Sequence, residues 1–181
     1  MTSVSSADSL QSSLGYRFKA LALLDEALTH SSLVNEQKTA LPQHNERLEF
    51  LGDAVLSLVM SEYLASALPQ SSEGTLSKLK AQVVSEASLA QVARRLGLGE
   101  HLKLGRGEDR SKGREKDSLL ADALEAVLAA VHLDGGYEAS RMVTRHIFSE
   151  ELTSIAAQQD QPGAGDYKTQ LQEWCQKRHD T

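Results

Sequence analysis

Apolar positions along the chain recur at steps of three and four, the period of a helix with one buried face. From Leu76 they return at Leu79, Val83, Ala87 and Ala90. A short helix is predicted over Leu21–Ser31, and a long one from near Asn45 to Ala67. Pro42 and Pro69 bound the long one, because proline lacks the amide a helix interior needs. A further helix is predicted over Asp117–Leu133, stopping at Gly135-Gly136, and a last one over Tyr137–Ala156. Gly97–Lys116 breaks the pattern. It holds Gly97, Gly99, Gly105, Gly107 and Gly113 together with Lys103, Arg106, Arg110, Lys112, Arg114 and Lys116, and reads as a mobile basic loop between helices.

Composition supports an all-α reading. Aromatic residues are only 4% of the 181, and the apolar positions are mostly Leu and Ala, which favour helix over strand. With 40% hydrophobic residues the chain can bury a substantial core, which excludes global disorder. The net charge of −6 does not announce a polyanion-binding protein, so any such partner needs a local basic surface or metal ions. Cys175, the single cysteine, excludes an internal disulfide and a cysteine-cluster metal site. No run of apolar residues approaches the roughly 18 of a membrane span, and the Ser-rich start, Met1–Leu14, lacks the blocks of a signal peptide. A cytoplasmic protein is expected.

Candidate chemistry lies in two of the helices. At about 100° per residue, Glu46, Glu49 and Asp53 fall within roughly 60° of one another, with Leu48, Leu51, Val55 and Leu58 on the opposite side. Asp122 and Glu125 share a face of the Asp117–Leu133 helix, opposed by Leu120, Leu124, Val127 and Val131. Their neighbours Ala121, Ala126, Ala129 and Ala130 are small enough for another backbone to approach closely, and no Lys or Arg occurs from Ser118 to Tyr137. If the two helices pack together, Glu49, Asp53, Asp122 and Glu125 converge. Such a group would raise its own proton affinities unless a cation neutralised it. Hard oxygen donors without Cys or a suitably spaced His select Mg²⁺ or Mn²⁺ over zinc. The absence of Glu-x-x-His motifs argues against a di-iron bundle, and His132 reads as a packed or surface histidine.

The block His44–Leu56 (HNERLEFLGDAVL) resembles the signature of bacterial ribonuclease III. The likeness extends to Leu14–Phe18, Ala27–Ser32, Glu73-Gly74 with Leu76-Ser77, and Leu119–Ala126, covering about Leu14–Ile155. The resemblance implies an all-helical endonuclease domain that acts as a homodimer on double-stranded RNA. By position it makes Glu49, Asp122 and Glu125 ligands of Mg²⁺, for which Mn²⁺ may substitute, and Asp53 with Glu125 the catalytic acids. Glu46 and Glu73 take supporting places, and Phe50 becomes a dimer contact, a knob entering a socket on the partner subunit. It further implies 5′-phosphate and 3′-hydroxyl products, staggered cuts, and processing of ribosomal RNA precursors and other structured transcripts. Ala129 departs from the Gly often found there.

The resemblance also divides the chain. Residues 1–156 form the catalytic domain and 157–165 a linker, with Gln158–Gly165 flexible. Residues 166–181 resemble the opening helix of a double-stranded-RNA-binding domain that then stops, as in a truncated form, leaving Leu171 and Trp174 partly exposed. With that module incomplete, RNA binding should be weak and steeply salt-dependent, with the basic loop as a phosphate contact. The competing reading is a non-catalytic double-stranded-RNA-binding or scaffolding protein on the same fold, which the presence of all four acids disfavours. A phosphohydrolase for small nucleotides would need a base pocket, for which the sequence supplies no motif.

Overall fold

Helix α9 (Asp117–Ile147) is the axis on which the other elements pack. Outside the edge that carries Asp122 and Glu125, its first half is apolar: Leu120, Ala121, Ala123, Leu124 and the whole run Ala126–Val131 are buried. A helix so largely hydrophobic is stable only when other elements cover it. The computed structural model describes residues 6–37 and 43–159. In chain order the surrounding helices are α1 (Ser6–Leu14), α2 (Leu21–Ala27), α3 (Ser31–Gln37), α4 (Glu46–Ala67), α5 (Glu73–Val83), α6 (Glu86–Arg95), α7 (Leu98–His101), α8 (Arg106–Arg110) and, after α9, α10 (Ser149–Gln159). The described residues form no strand; Thr29 and Lys103 make an isolated parallel bridge. The all-α expectation holds.

The main packing of α9 is against α4, followed by α6 and α2. The seam on α4 runs through Leu48, Gly52, Val55, Leu56, Val59 and Met60. Gly52 sets the spacing: a Cβ built there would lie 1.9 Å from the backbone oxygen of Glu125, so only glycine lets the two helices meet at this level. This seam corrects one expectation. Leu58, placed above on the apolar side, is 57% exposed, because the line through Gly52 turns it outward. Helix α4 has the length and hydropathy of a membrane span, the one described helix that does. Its apolar side, however, is occupied by α9, and its flank carries Glu49 and Asp53.

Several predicted boundaries shift for identifiable reasons. The amphipathic stretch from Leu76 to Ala90 is two helices, α5 and α6. Ser85 takes extended dihedrals between them, and its side chain accepts the Ser88 N–H, capping α6. Ala87 is consequently exposed, and the buried set moves to Leu89, Ala90, Val92 and Ala93. The break at Gly135-Gly136 is present, since Gly136 has φ 76°, a left-handed conformation suited to glycine. The helix predicted over Tyr137–Ala156 is interrupted at Phe148, whose fully buried side chain anchors the corner between α9 and α10. The helix predicted over Leu21–Ser31 ends at Ala27, and α3 begins at Ser31.

The Gly97–Lys116 segment is fastened rather than loose. It contains α7, α8 and a 3₁₀ turn at Gly113–Glu115, and it buries Leu98, Leu102 and Leu104. Glu36 of α3 accepts the backbone N–H groups of Arg106 (2.9 Å) and Gly107 (3.0 Å), and the Ser32 hydroxyl accepts that of Gly105 (2.9 Å). Arg114 donates to the carbonyls of Gly99 and Leu102 and pairs with Asp109. Lys116 pairs with Glu108, Lys112 with Glu115, and Lys103 with Asp25. The expected mobile basic loop is therefore a tethered element whose cations are mostly neutralised. Of the expected linker, 157–165, only 157–159 are described, as the end of α10, and the expected partial domain at 166–181 lies outside the described residues.

Candidate metal centre

The close approach at Gly52 brings the two acid-bearing faces together. Glu49, Asp122 and Glu125 each offer a carboxylate oxygen, and these oxygens lie within 4.8 Å of one another. All three side chains are partly buried. Glu49 projects from the first turn of α4, next to the seam; Asp122 and Glu125 lie one turn apart on α9. Oxygen donors in this number and spacing could hold one hard divalent cation with room left for other ligands.

The electrostatics fit that use. Burial first, then the carboxylates of Asp53, Glu49 and Asp122, push the Glu125 carboxyl up to about 7. Burial, with Asp122 and Glu46 behind it, raises Glu49. Asp122 is raised by burial and by Glu86, and His30 opposes the rise. Like charges in a half-buried site cannot all ionise cheaply, and a bound cation reverses that cost.

The remaining predicted residues sit around this group. Asp53 is exposed, outside the trio, and close enough for its charge to act on Glu125. Glu46 is exposed beside Glu49, with its carboxylate 3.8 Å from Nδ1 of His44. Glu73 opens α5 and accepts the Ser77 hydroxyl at 2.7 Å, apart from the trio. Phe50 is 83% exposed, unusual for so large an apolar side chain. A cavity of about 480 Å³ lies along the same helix, lined by Leu23, His44, Arg47, Leu48, Leu51 and Leu133 among others. His132 is part-buried, with Nδ1 3.3 Å from the Ser140 hydroxyl, away from these acids.

Two groups near the trio had no signal in helical spacing. Glu86 starts α6 and His30 lies between α2 and α3; both act on Asp122 electrostatically. Only the tertiary fold brings them there.

The described residues thus form a helical domain in which two central helices bring three acids to one site that could hold a metal ion. Residues 21–151 match the family described as Ribonuclease-III-like. The chain is 52% identical over 164 residues to Ribonuclease 3 of Heliobacterium modesticaldum, covering 91% of this chain and 68% of that protein. It is 51% identical over 169 residues to Ribonuclease 3 of Caldanaerobacter subterraneus, covering 92% and 72% respectively. Among solved structures, the nuclease domain of ribonuclease III from Campylobacter jejuni superposes with a TM-score of 0.73 at 42% identity, covering 80% of this chain and 96% of that one. The chain belongs to the ribonuclease III family and is an endoribonuclease of that type.

Proposed function

We propose that this chain cleaves double-stranded RNA by Mg²⁺-dependent phosphodiester hydrolysis, acting as a homodimer. The observation that carries the reading is the convergence of Glu49, Asp122 and Glu125 to within 4.8 Å at the Gly52 crossing. These three residues hold the ion. When bound, Mg²⁺ acts as a Lewis acid that offsets charge growing on the phosphate and the leaving oxygen. Glu125 and Asp53 are the catalytic acids; burial first, then the carboxylates of Asp53, Glu49 and Asp122, raises the proton affinity of Glu125, which favours neutralisation of the group by a cation. Glu46 supports the site from beside Glu49, and Glu73, apart from the trio, supports the site or the dimer cleft. In the dimer, Phe50 of one protomer enters the cavity lined by Leu23, Leu51 and Leu133 of the other. Two sites related by the dimer axis would then cut opposite strands, leaving 5′-phosphate and 3′-hydroxyl ends. A-form RNA is read mainly by shape and backbone, so structured transcripts, including ribosomal RNA precursors in the cytoplasm, are the substrates assigned here.

The test is cleavage of an end-labelled RNA hairpin by the whole chain with Mg²⁺, beside Glu125→Gln. Wild type should cut within the duplex and Glu125→Gln should not, while both run as the same particle in solution. Equal cutting by the two proteins, or none by wild type at low salt with either Mg²⁺ or Mn²⁺, would overturn the reading.

A further inference from the structure

The cavity of about 480 Å³ along α4 is not wholly apolar: beside its leucines, the lining includes Glu26, His44 and Arg47. Nδ1 of His44 is buried and has no hydrogen-bond partner. The Glu46 carboxylate stands 3.8 Å from it, beyond hydrogen-bonding distance. Buried polar atoms in native proteins almost always find a partner, so this one points to a group that a single chain does not supply. Glu26 is part-buried and Arg47 exposed, and among the described residues neither side chain makes an ion pair or hydrogen bond. One lining thus holds an unmatched carboxylate, an unmatched ring nitrogen and an unmatched guanidinium.

Two-fold symmetry supplies the match. Arg47 precedes Phe50 by three residues, which places it about 4.5 Å back along α4 and about 60° round from it, on the same exposed face. An axis that carries Phe50 into the cavity of a second copy carries Arg47 to the mouth of that cavity as well. A guanidinium has N–H donors in a planar fork, enough to serve a carboxylate and a ring nitrogen at once. Resting on the homodimer reading above, we propose that Glu26 and His44 form a polar latch for a second copy of this chain. Arg47 of the partner subunit pairs with the Glu26 carboxylate and donates to Nδ1 of His44. The latch occurs twice per dimer. Phe50 supplies apolar contact, whereas the latch fixes which partner and which register the cavity accepts.

The experiment uses the whole chain and measures dimer dissociation constants by sedimentation equilibrium. Arg47→Glu and Glu26→Arg, each alone, set like charges face to face and should weaken association at least about thirtyfold. An equimolar mixture of the two should dimerise within about fivefold of wild type. Each contact across the axis then joins unlike charges, while each single chain still carries like ones. Milder variants give an independent measure: Arg47→Met and Glu26→Gln should each weaken association about fivefold, and together no more than about tenfold, where unconnected effects would multiply. His44→Phe should weaken association in the wild-type background and not beside Arg47→Met. Dimers of wild-type strength in Arg47→Glu or Glu26→Arg overturn the proposal. So does a mixture no stronger than its components, which marks a pairing within one chain, and so do milder variants whose effects multiply. A wild-type chain that stays monomeric removes the latch together with the homodimer reading. A chain that obeys the mixing test but cuts no RNA hairpin removes the nuclease reading alone.

Discussion

At the scale of single residues, two positions decide whether the site exists. Gly52 is the point of contact between the crossing helices, and alanine there meets the Glu125 carbonyl at 1.9 Å. The helix propensity gained by replacing glycine is about 1 kcal/mol. Overpacking against backbone costs about 1–3 kcal/mol or more. Gly52→Ala should therefore lower the melting temperature despite improving local propensity, and should weaken cation binding by spreading Glu49 from Glu125. A melting temperature equal to or above that of wild type would contradict the close crossing. Glu125 is the second position. Folded, it keeps its proton up to about pH 7, whereas an unfolded glutamate releases it near 4.5. The native state thus binds more protons across that window, and in chelator its stability should fall as pH rises from about 4.5 to 7. Glu125→Gln should flatten this slope, and Mg²⁺ should restore stability to wild type at pH 8; melting curves in EDTA and in Mg²⁺ across pH 5–8 read both effects.

At the scale of elements, the region between α6 and α9 is the clearest case of tertiary structure overriding local signal. Its glycines and cations argue for a loop, yet it is held by Glu36, Ser32 and Asp25 from far earlier in the chain and by its own acids. Glu36 accepts two adjacent N–H groups, which also holds its own carboxyl below the usual range. Glu36→Ala should speed hydrogen exchange at Arg106 and Gly107 by at least an order of magnitude with little change in global melting; unchanged exchange there would show that the tether is dispensable. Other elements were legible in advance. The long helix ending at Ala67, the helix from Asp117 and its stop at Gly136 follow from periodicity, proline and glycine placement, as does the shared face of Asp122 and Glu125. Helix α1 was hidden, because its buried Leu10 and Leu14 sit among serines that carry no helical pattern. The α5–α6 corner was hidden because apolar spacing continues through it while a single side-chain cap at Ser85 ends the register. His30 and Glu86 could not be read from spacing, since each belongs to a different element from the carboxylate it acts on.

At the scale of the whole molecule, the chain presents an apolar knob and an open cavity along one helix. Phe50 contributes nothing to the core of its own protomer, being 83% exposed. Phe50→Ala should leave the melting of the isolated fold unchanged within about 0.5 kcal/mol, as for a surface substitution. It should shift the particle mass by light scattering from two chains toward one. A mutant that keeps the wild-type mass would remove Phe50 from the interface. Phe50, the cavity and Glu49 all lie along α4, and the acid cluster is the feature on which the proposed function depends. Its most direct test is a titration of Mn²⁺ followed by electron paramagnetic resonance, with wild type against Glu125→Gln at neutral pH. Saturable binding that Mg²⁺ displaces and that Glu125→Gln loses is the predicted result; equal binding by the two proteins would mean that Glu49, Asp122 and Glu125 do not together hold an ion.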